Sequence, residues 1–243
     1  MFSAGLMLAG CPSKAERQLQ QGHQQAKKAK WSDAAASYRA AAIADPTNAH
    51  ALALAGLANL ELADAGAALD SFSAALLIDP LEPSARLGLA GLAVQSMDAG
   101  AALSIIEGMT EPSAGIIRGR ALLLRGGAGD AEAALAQARA VTAIAPESIE
   151  ARYLEGSALL VLGRFAEAQA AFEAMEKTSR ESPFGPYGLA RVAAAQRRST
   201  DVLLYLKAAR TASKQSWQAG AVAADPAFAF LAGTPAFTEV VGP

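Results

Sequence analysis

Two stretches, DPTNAHALALAG at residues 45–56 and DPLEPSARLGLAG at residues 79–91, open on the same Asp-Pro dipeptide, and the interval between positions 45 and 79 is 34. A chain that stops, turns and restarts at such an interval is built from stacked copies of one supersecondary unit, each too small to bury its apolar face alone. Setting Asp45-Pro46 on Asp79-Pro80 brings Gly22 onto Gly56, Ala34 onto Ala68, Tyr38 onto Phe72 and Ala41 onto Ala75. Further along, Pro112 and Pro146 are one such period apart, as are Ala134 and Ala168, while Gly156, Ala168 and Phe172 reproduce the spacing of Gly22, Ala34 and Tyr38. Two steps depart: Pro80 to Pro112 is two short of the period and Pro146 to Pro183 is three over it. Both fall at unit ends, where loops absorb length changes.

Each unit reads as two amphipathic helices. In the second, the spacing predicts helices over about 49–62 and 65–78, with Leu52, Leu57 and Leu60 in the first and Leu69, Phe72 and Leu76 in the second recurring at helical steps. Small residues at Gly56, Ala68 and Ala75 let neighbouring helices approach closely, and larger side chains there would overpack the contact. Asp45-Pro46 and Asp79-Pro80 end each pair, because proline lacks an N–H donor and pushes the preceding residue out of the α region.

With these residues in register the chain resembles the tetratricopeptide repeat, a helix-turn-helix unit of the same period. The match rests on Gly22, Ala34, Tyr38, Ala41 and Pro46, then Gly56, Ala68, Phe72, Ala75 and Pro80, then Ala102, then Ala134 and Pro146, then Gly156, Ala168 and Phe172. The repeat's early tryptophan is absent throughout, and the third and fourth units lack its glycine and second-helix aromatic. The resemblance implies an all-α solenoid of five to six helix-turn-helix repeats over residues 15–213, in units of about 15–48, 49–82, 83–114, 115–148, 149–182 and 183–213. The sixth pair is expected at about 186–196 and 200–213. Residues 214–243 then form a C-terminal helical cap: Asp225-Pro226 and Thr234-Pro235 each supply an N-cap followed by proline at the first helical position. Phe228, Phe230 and Phe237 are expected to cover the exposed end of the last repeat, the alternative being a partner site.

The resemblance also says where a partner docks. First helices line a groove through unit positions two, five, nine and twelve, which share one helical face. Here these positions place Leu19 and His23 in the first unit, and His50, Ala53, Leu57 and Leu60 in the second. Ser84 and Leu87 follow in the third, and Glu150, Tyr153 and Ser157 in the fifth. Relatives that clamp a C-terminal carboxylate need Lys, Arg and Asn at positions five and nine, which Leu19, His23, Ala53, Leu57, Leu87 and Gly91 do not supply. The expected ligand is therefore an apolar helix or extended apolar segment of a protein.

Catalysis finds no motif, so no catalytic, cofactor or metal residue is assigned and the chain is not expected to be an enzyme. His23 and His50 fall in different repeats, and the single Cys11 forms no cluster with them at metal-ligand spacing. GGAGD at 126–130 lacks the Lys-Ser/Thr of a phosphate loop and falls where a turn is required. A formal charge of −2 offers no bulk attraction to nucleic acid, and no small-molecule substrate is expected. The charge is unevenly spread: residues 45–111 hold nine carboxylates against Arg86, while Arg191, Arg197, Arg198, Lys207, Arg210 and Lys214 face only Asp201. Solvated helix faces account for this, or an electrostatic dipole that orients a partner.

The opening MFSAGLMLAGCPSK is similar to a bacterial lipoprotein signal, with Leu8-Ala9-Gly10-Cys11 as its leucine-small-small-cysteine box. It departs in having only residues 1–10 before Cys11 and no Lys or Arg among them. On this reading, residues 1–14 are a signal remnant and tether, and a lipid on Cys11 anchors the repeats to a membrane. Pro12 stands where an inner-membrane retention residue would be, which favours the periplasmic face of the outer membrane. Two functions follow: a lipid-anchored, pilotin-like scaffold that assists a bacterial envelope complex, or a soluble cytoplasmic adaptor whose N-terminal likeness is accidental.

Overall fold

The computed structural model describes residues 12–179, 181–213 and 217–242. The chain divides into two compact units, residues 1–107 and 108–243. Unit 1 holds three helical hairpins: α1 (Lys14–Ala26) with α2 (Trp31–Ala44), α3 (Ala49–Glu61) with α4 (Ala65–Ile78), and α5 (Pro83–Gln95) with the short α6 (Ala99–Ile105). Unit 2 holds α7 (Pro112–Arg125) with α8 (Asp130–Ile144), α9 (Ile149–Val161) with α10 (Phe165–Thr178), and α11 (Phe184–Ala195) with α12 (Ser199–Ser213). It ends in α13 (Ala219–Ala224), a 3-10 turn (Pro226–Leu231) and α14 (Pro235–Val241). Within each unit, helices pack on their hairpin partners and each second helix on the hairpin that follows; first helices α3 and α5, like α9 and α11, also touch. The architecture is the all-α repeat expected from the sequence period.

The core is organised by rings standing on glycines. A Cβ on Gly22 or Gly56 would come within 2.5 Å of the ring of Tyr38 or Phe72, and one on Gly156 within 2.6 Å of Phe172. Phe72 is also covered from its other side by Gly88 and Phe172 by Gly188. Each of these glycines is sixteen positions from its ring. One second-helix aromatic is thus clasped between first helices of its own and the following repeat, and both phenylalanines are fully buried. Gly88 and Gly188 belong with the packing residues Gly22, Gly56 and Gly156, and the recurring interval is the signal that identifies them.

The degenerate repeats solve the same problem with other side chains. Ile106, one period past Phe72, is fully buried in its place. Ala138, one period before Phe172, is too small to fill the gap, and Leu154 of the next first helix lies over Gly119 instead. Ala34, Ala68 and Ala168 are wholly buried at helix contacts. Pro46 and Pro80, expected as packing residues, are not buried; their effect is on the backbone alone. Asp45 Oδ1 accepts the Thr47 N–H and hydroxyl, Asp79 Oδ1 accepts the Leu81 N–H, and Asn48 and Glu82 then cap α3 and α5.

The turns inside the hairpins repeat as faithfully. Ala29, Ala63, Met97, Gly163 and Arg197 all adopt left-handed φ values of 53–70°. Gln25 accepts a hydrogen bond from Ser37, and one period on Asn59 donates one to Ser71, tying the two helices of each pair.

At the C-terminus Asp225 accepts the Ala227 N–H and Thr234 the Phe237 N–H, the two N-caps expected from their Asp-Pro and Thr-Pro pairs. Phe228, Leu231, Phe237 and Val241 form a core with Ala190, Ala193, Val202 and Leu206, so Phe228 and Phe237 act as a cap, with Phe230 only partly buried beside them. The Trp217 indole N–H donates to the Val241 carbonyl and Arg210 to those of Glu239 and Val240, closing α14. Helix α13 is an addition the sequence pattern did not announce.

Two substitutions with opposite signs test this packing against helix propensity. Gly88→Ala, which propensity alone would favour, overpacks the Phe72 ring and is expected to cost roughly 1–3 kcal/mol in urea denaturation. Ala63→Gly relieves a left-handed alanine and is expected to gain about 0.5–1 kcal/mol once the entropy of the unfolded glycine is subtracted.

Candidate functional site

The groove residues separate into exposed and packed sets once the helices are in place. On α3, Ala49, Ala53, Gly56 and Leu60 recur at helical spacing toward α4, so Ala53 is 0% exposed and Leu60 is half-buried against the Phe72 cluster. Ala53 therefore cannot line a groove. The same seam takes Leu19, which packs on Tyr38, and Tyr153, whose ring lies 5.7 Å from Phe172 and 5.5 Å from Phe184. At Leu19, Ala53 and Tyr153 position five faces the second-helix aromatic rather than an open floor, whereas Leu87, at position five of the third unit, is outside the Phe72 cluster.

Leu57, 39% exposed, is the apolar residue that α3 leaves on its outer first-helix face, and Ser84 and Leu87 are half-buried on the adjoining α5. His23 and His50 border the same unit. His23 is exposed, with Nδ1 3.0 Å from the Tyr38 hydroxyl, and His50 Nδ1 lies 2.9 Å from Oε1 of the buried Glu82. Each histidine already has an internal partner. Ile43 and Leu77, one period apart at the ends of α2 and α4, are 80% and 88% exposed. They lie outside the expected groove, and their repeat spacing is the signal that could have found them.

Unit 2 brings Tyr153 and Ser157 together with a polar network from the last hairpin and the cap. Glu150 is exposed and accepts from the Ser148 hydroxyl. The Tyr187 hydroxyl donates to Asp225 Oδ2 at 2.6 Å; burial, then this bond, push its phenol far above the ordinary tyrosine range. Arg191 stands 3.7 Å from the same carboxylate oxygen and faces the Tyr153 hydroxyl. The Ser157 Oγ and the Arg191 Nε are buried and have no hydrogen-bond partner among the described residues.

Many of the charges in the two runs have local partners. Asp64, Glu82 and Asp98 cap α4, α5 and α6, and Asp45 and Asp79 hold the inter-repeat turns. Arg86 donates to the Ile105 and Glu107 carbonyls, Arg198 pairs with Asp201 and Arg210 caps α14. These charges serve helix ends and turns as well as facing solvent; Lys214 lies outside the described residues.

GGAGD is a helix-to-helix turn. Asp130 accepts from Gly127 N–H at 2.8 Å and from Arg125 Nε and Nη2 at 2.8 and 2.6 Å, leaving no cradle for a phosphate. Among the described residues no group of three His, Cys, Asp or Glu side chains could hold a metal ion, and no helix is long and apolar enough to cross a membrane. Cys11 lies outside the described residues.

No family model matches the sequence, and no curated protein matches it. Solved structures do. A tetratricopeptide repeat protein from Parabacteroides merdae superposes with a TM-score of 0.64 at 16% identity, over 83% of this chain and 79% of its own. The fold is that of the tetratricopeptide-repeat proteins. PilW, a type IV pilus biogenesis factor, gives 0.64 at 17% identity over 83% and 94%, and the MamA protein 0.51 at 18% over 69% and 93%. At these identities the likeness speaks for tetratricopeptide-repeat architecture alone.

The Asp130 turn has a pH signature. The hydrogen bonds from Arg125 chiefly, with that from Gly127, hold its carboxyl at about 2 against the opposing effect of burial. A carboxyl lowered in the folded state stabilises fully above its unfolded value and loses this contribution as pH falls toward the folded one. Thermal melts between pH 5 and about 2 are expected to show that loss in the wild type and a smaller one in Asp130→Asn.

Proposed function

We propose that the chain is a protein-binding scaffold, held at a bacterial membrane by a lipid on Cys11, that assists assembly of an envelope complex. The observation that carries the binding role is the outer first-helix face of unit 1. Leu57 on α3 is 39% exposed, Leu87 is half-buried on α5, which packs against α3, and neither belongs to the Phe72 core. An amphipathic helix or extended segment gains affinity by burying such a surface, and the repeat fold presents it on rigid elements. The envelope assignment is supported by the Leu8-Ala9-Gly10-Cys11 box and by the shared fold of PilW, itself a pilus biogenesis factor. Transport to the periplasmic face of the outer membrane rests on the same box with Pro12 after it.

Charges placed on this face should abolish docking while leaving the helices intact. Leu57→Glu with Leu87→Glu is expected to remove partner capture from solubilised envelope extract with an unchanged circular dichroism spectrum; undiminished capture would exclude this face. The anchor is tested separately by intact mass of the N-terminal fragment, expressed from native upstream DNA and compared with Cys11→Ser. The expected species begins at Cys11 and carries acyl chains, and an unmodified chain retaining residues 1–10 would remove the membrane from the proposal.

A further inference from the structure

A second surface, independent of the unit 1 face, lies where the last hairpin of unit 2 meets its cap. First helices α9 and α11 place Tyr153 over Tyr187 and Ser157 over Arg191 in the repeat register, each pair one period apart. Beside this row is a cleft of about 330 Å³, walled by Leu160 and Ala194 on one side and by Pro226, Ala229 and Phe230 on the other. Its size is at the lower end of ligand pockets, enough for one or two side chains.

The polar groups of the cleft do not balance. No carboxylate lines it; Asp225, the residue before Pro226, pairs with Arg191 from outside the lining and has both oxygens engaged, one by the Tyr187 hydroxyl and one by the Ala227 N–H. Against it stand two guanidinium groups. Arg191, 3.7 Å from Asp225, keeps a buried Nε with no hydrogen-bond partner among the described residues. Arg197 occupies the left-handed turn position with φ 58°, and its guanidinium sits 4.7 Å from the Phe230 ring centroid. Its neighbour Arg198 is neutralised by Asp201 at 2.7 Å, whereas Arg197 has no ion pair among the described residues. A guanidinium held on an aromatic face keeps its hydrogen-bonding edge available and has already lost much of its rotamer freedom, which lowers the cost of binding.

We propose that this cleft binds an acidic side chain next to an apolar one on a polypeptide partner, with the carboxylate on Arg197 and Arg191 and the apolar side chain against Phe230. A polypeptide fits because the cleft continues the Tyr153, Ser157, Tyr187 and Arg191 row across two successive first helices. The Ser157 Oγ in that row is buried and has no hydrogen-bond partner among the described residues. An internal glutamate or aspartate satisfies the charge, so a free C-terminus is not required.

The test is fluorescence anisotropy of the full chain with a fluorescein-labelled, C-terminally amidated peptide carrying a Glu-Phe pair, against the same peptide with Gln-Phe. Saturable binding is expected for the Glu peptide, weaker by about tenfold for the Gln peptide and for Arg197→Gln, as the loss of one charge-assisted hydrogen bond implies. Added salt should weaken the Glu peptide selectively. Arg197→Lys keeps the charge but not the planar stacking and should fall between; Lys207→Gln, on α12, should bind as the wild type does. Arg197 is exposed, so its replacement leaves the cap core of Phe228 and Phe237 in place, and a circular dichroism melt verifies this. Equal affinity for the two peptides, undiminished binding by Arg197→Gln, or no binding at millimolar concentration would each overturn the proposal.

Discussion

A single contact, an aromatic ring wedged between two glycines, sets the geometry on which the strong repeats depend. Phe72 touches Gly56 behind it and Gly88 ahead, and Phe172 touches Gly156 and Gly188 in the same way. A ring large enough to reach both first helices needs a partner with no side chain on each, so three evenly spaced residues are fixed together. Close-packed interiors tolerate little deviation from such a fit. Where the ring is missing, the volume is supplied from elsewhere, as when Leu154 covers Gly119.

That dependence explains what could be read from the residues and what could not. The repeat period and the Gly–aromatic spacing placed the helix pairs almost to the residue, including α3 and α4, because repetition makes each weak local signal count several times. The terminal N-caps at Asp225 and Thr234 were equally plain, since the chemistry of a cap is confined to a few adjacent residues. The groove was less legible. Position five was assigned to an open face, yet Ala53 is sealed beneath Phe72 and Tyr153 lies between two phenylalanines. A helical face about a hundred degrees wide cannot be divided between seam and floor without knowing how far each hairpin is rotated. Arg191 was legible only as one member of a basic run, because its pairing is with Asp225, which the chain reaches only in the cap.

Charge follows the same logic at shorter range. In the acidic first half, Asp45, Asp64, Asp79, Glu82 and Asp98 each serve a turn or a helix start. Repeat proteins need a cap at every hairpin, and a chain rich in alanine has few other residues to supply it. The net sign of a stretch therefore reflects how many ends it contains, and the groups left over, such as Arg197, are the ones with recognition in reserve.

The clasped ring also means that the sequence repeat and the physical unit are out of step by one helix. Phe72 is completed by α5, which the repeat boundary assigns to the following copy, so the smallest block with a finished interior is three helices long. A truncation placed at the boundary after residue 82 would strip one side of that ring, whereas one placed after α5 would keep it covered. Fragments of this chain are best cut half a repeat later than its periodicity suggests.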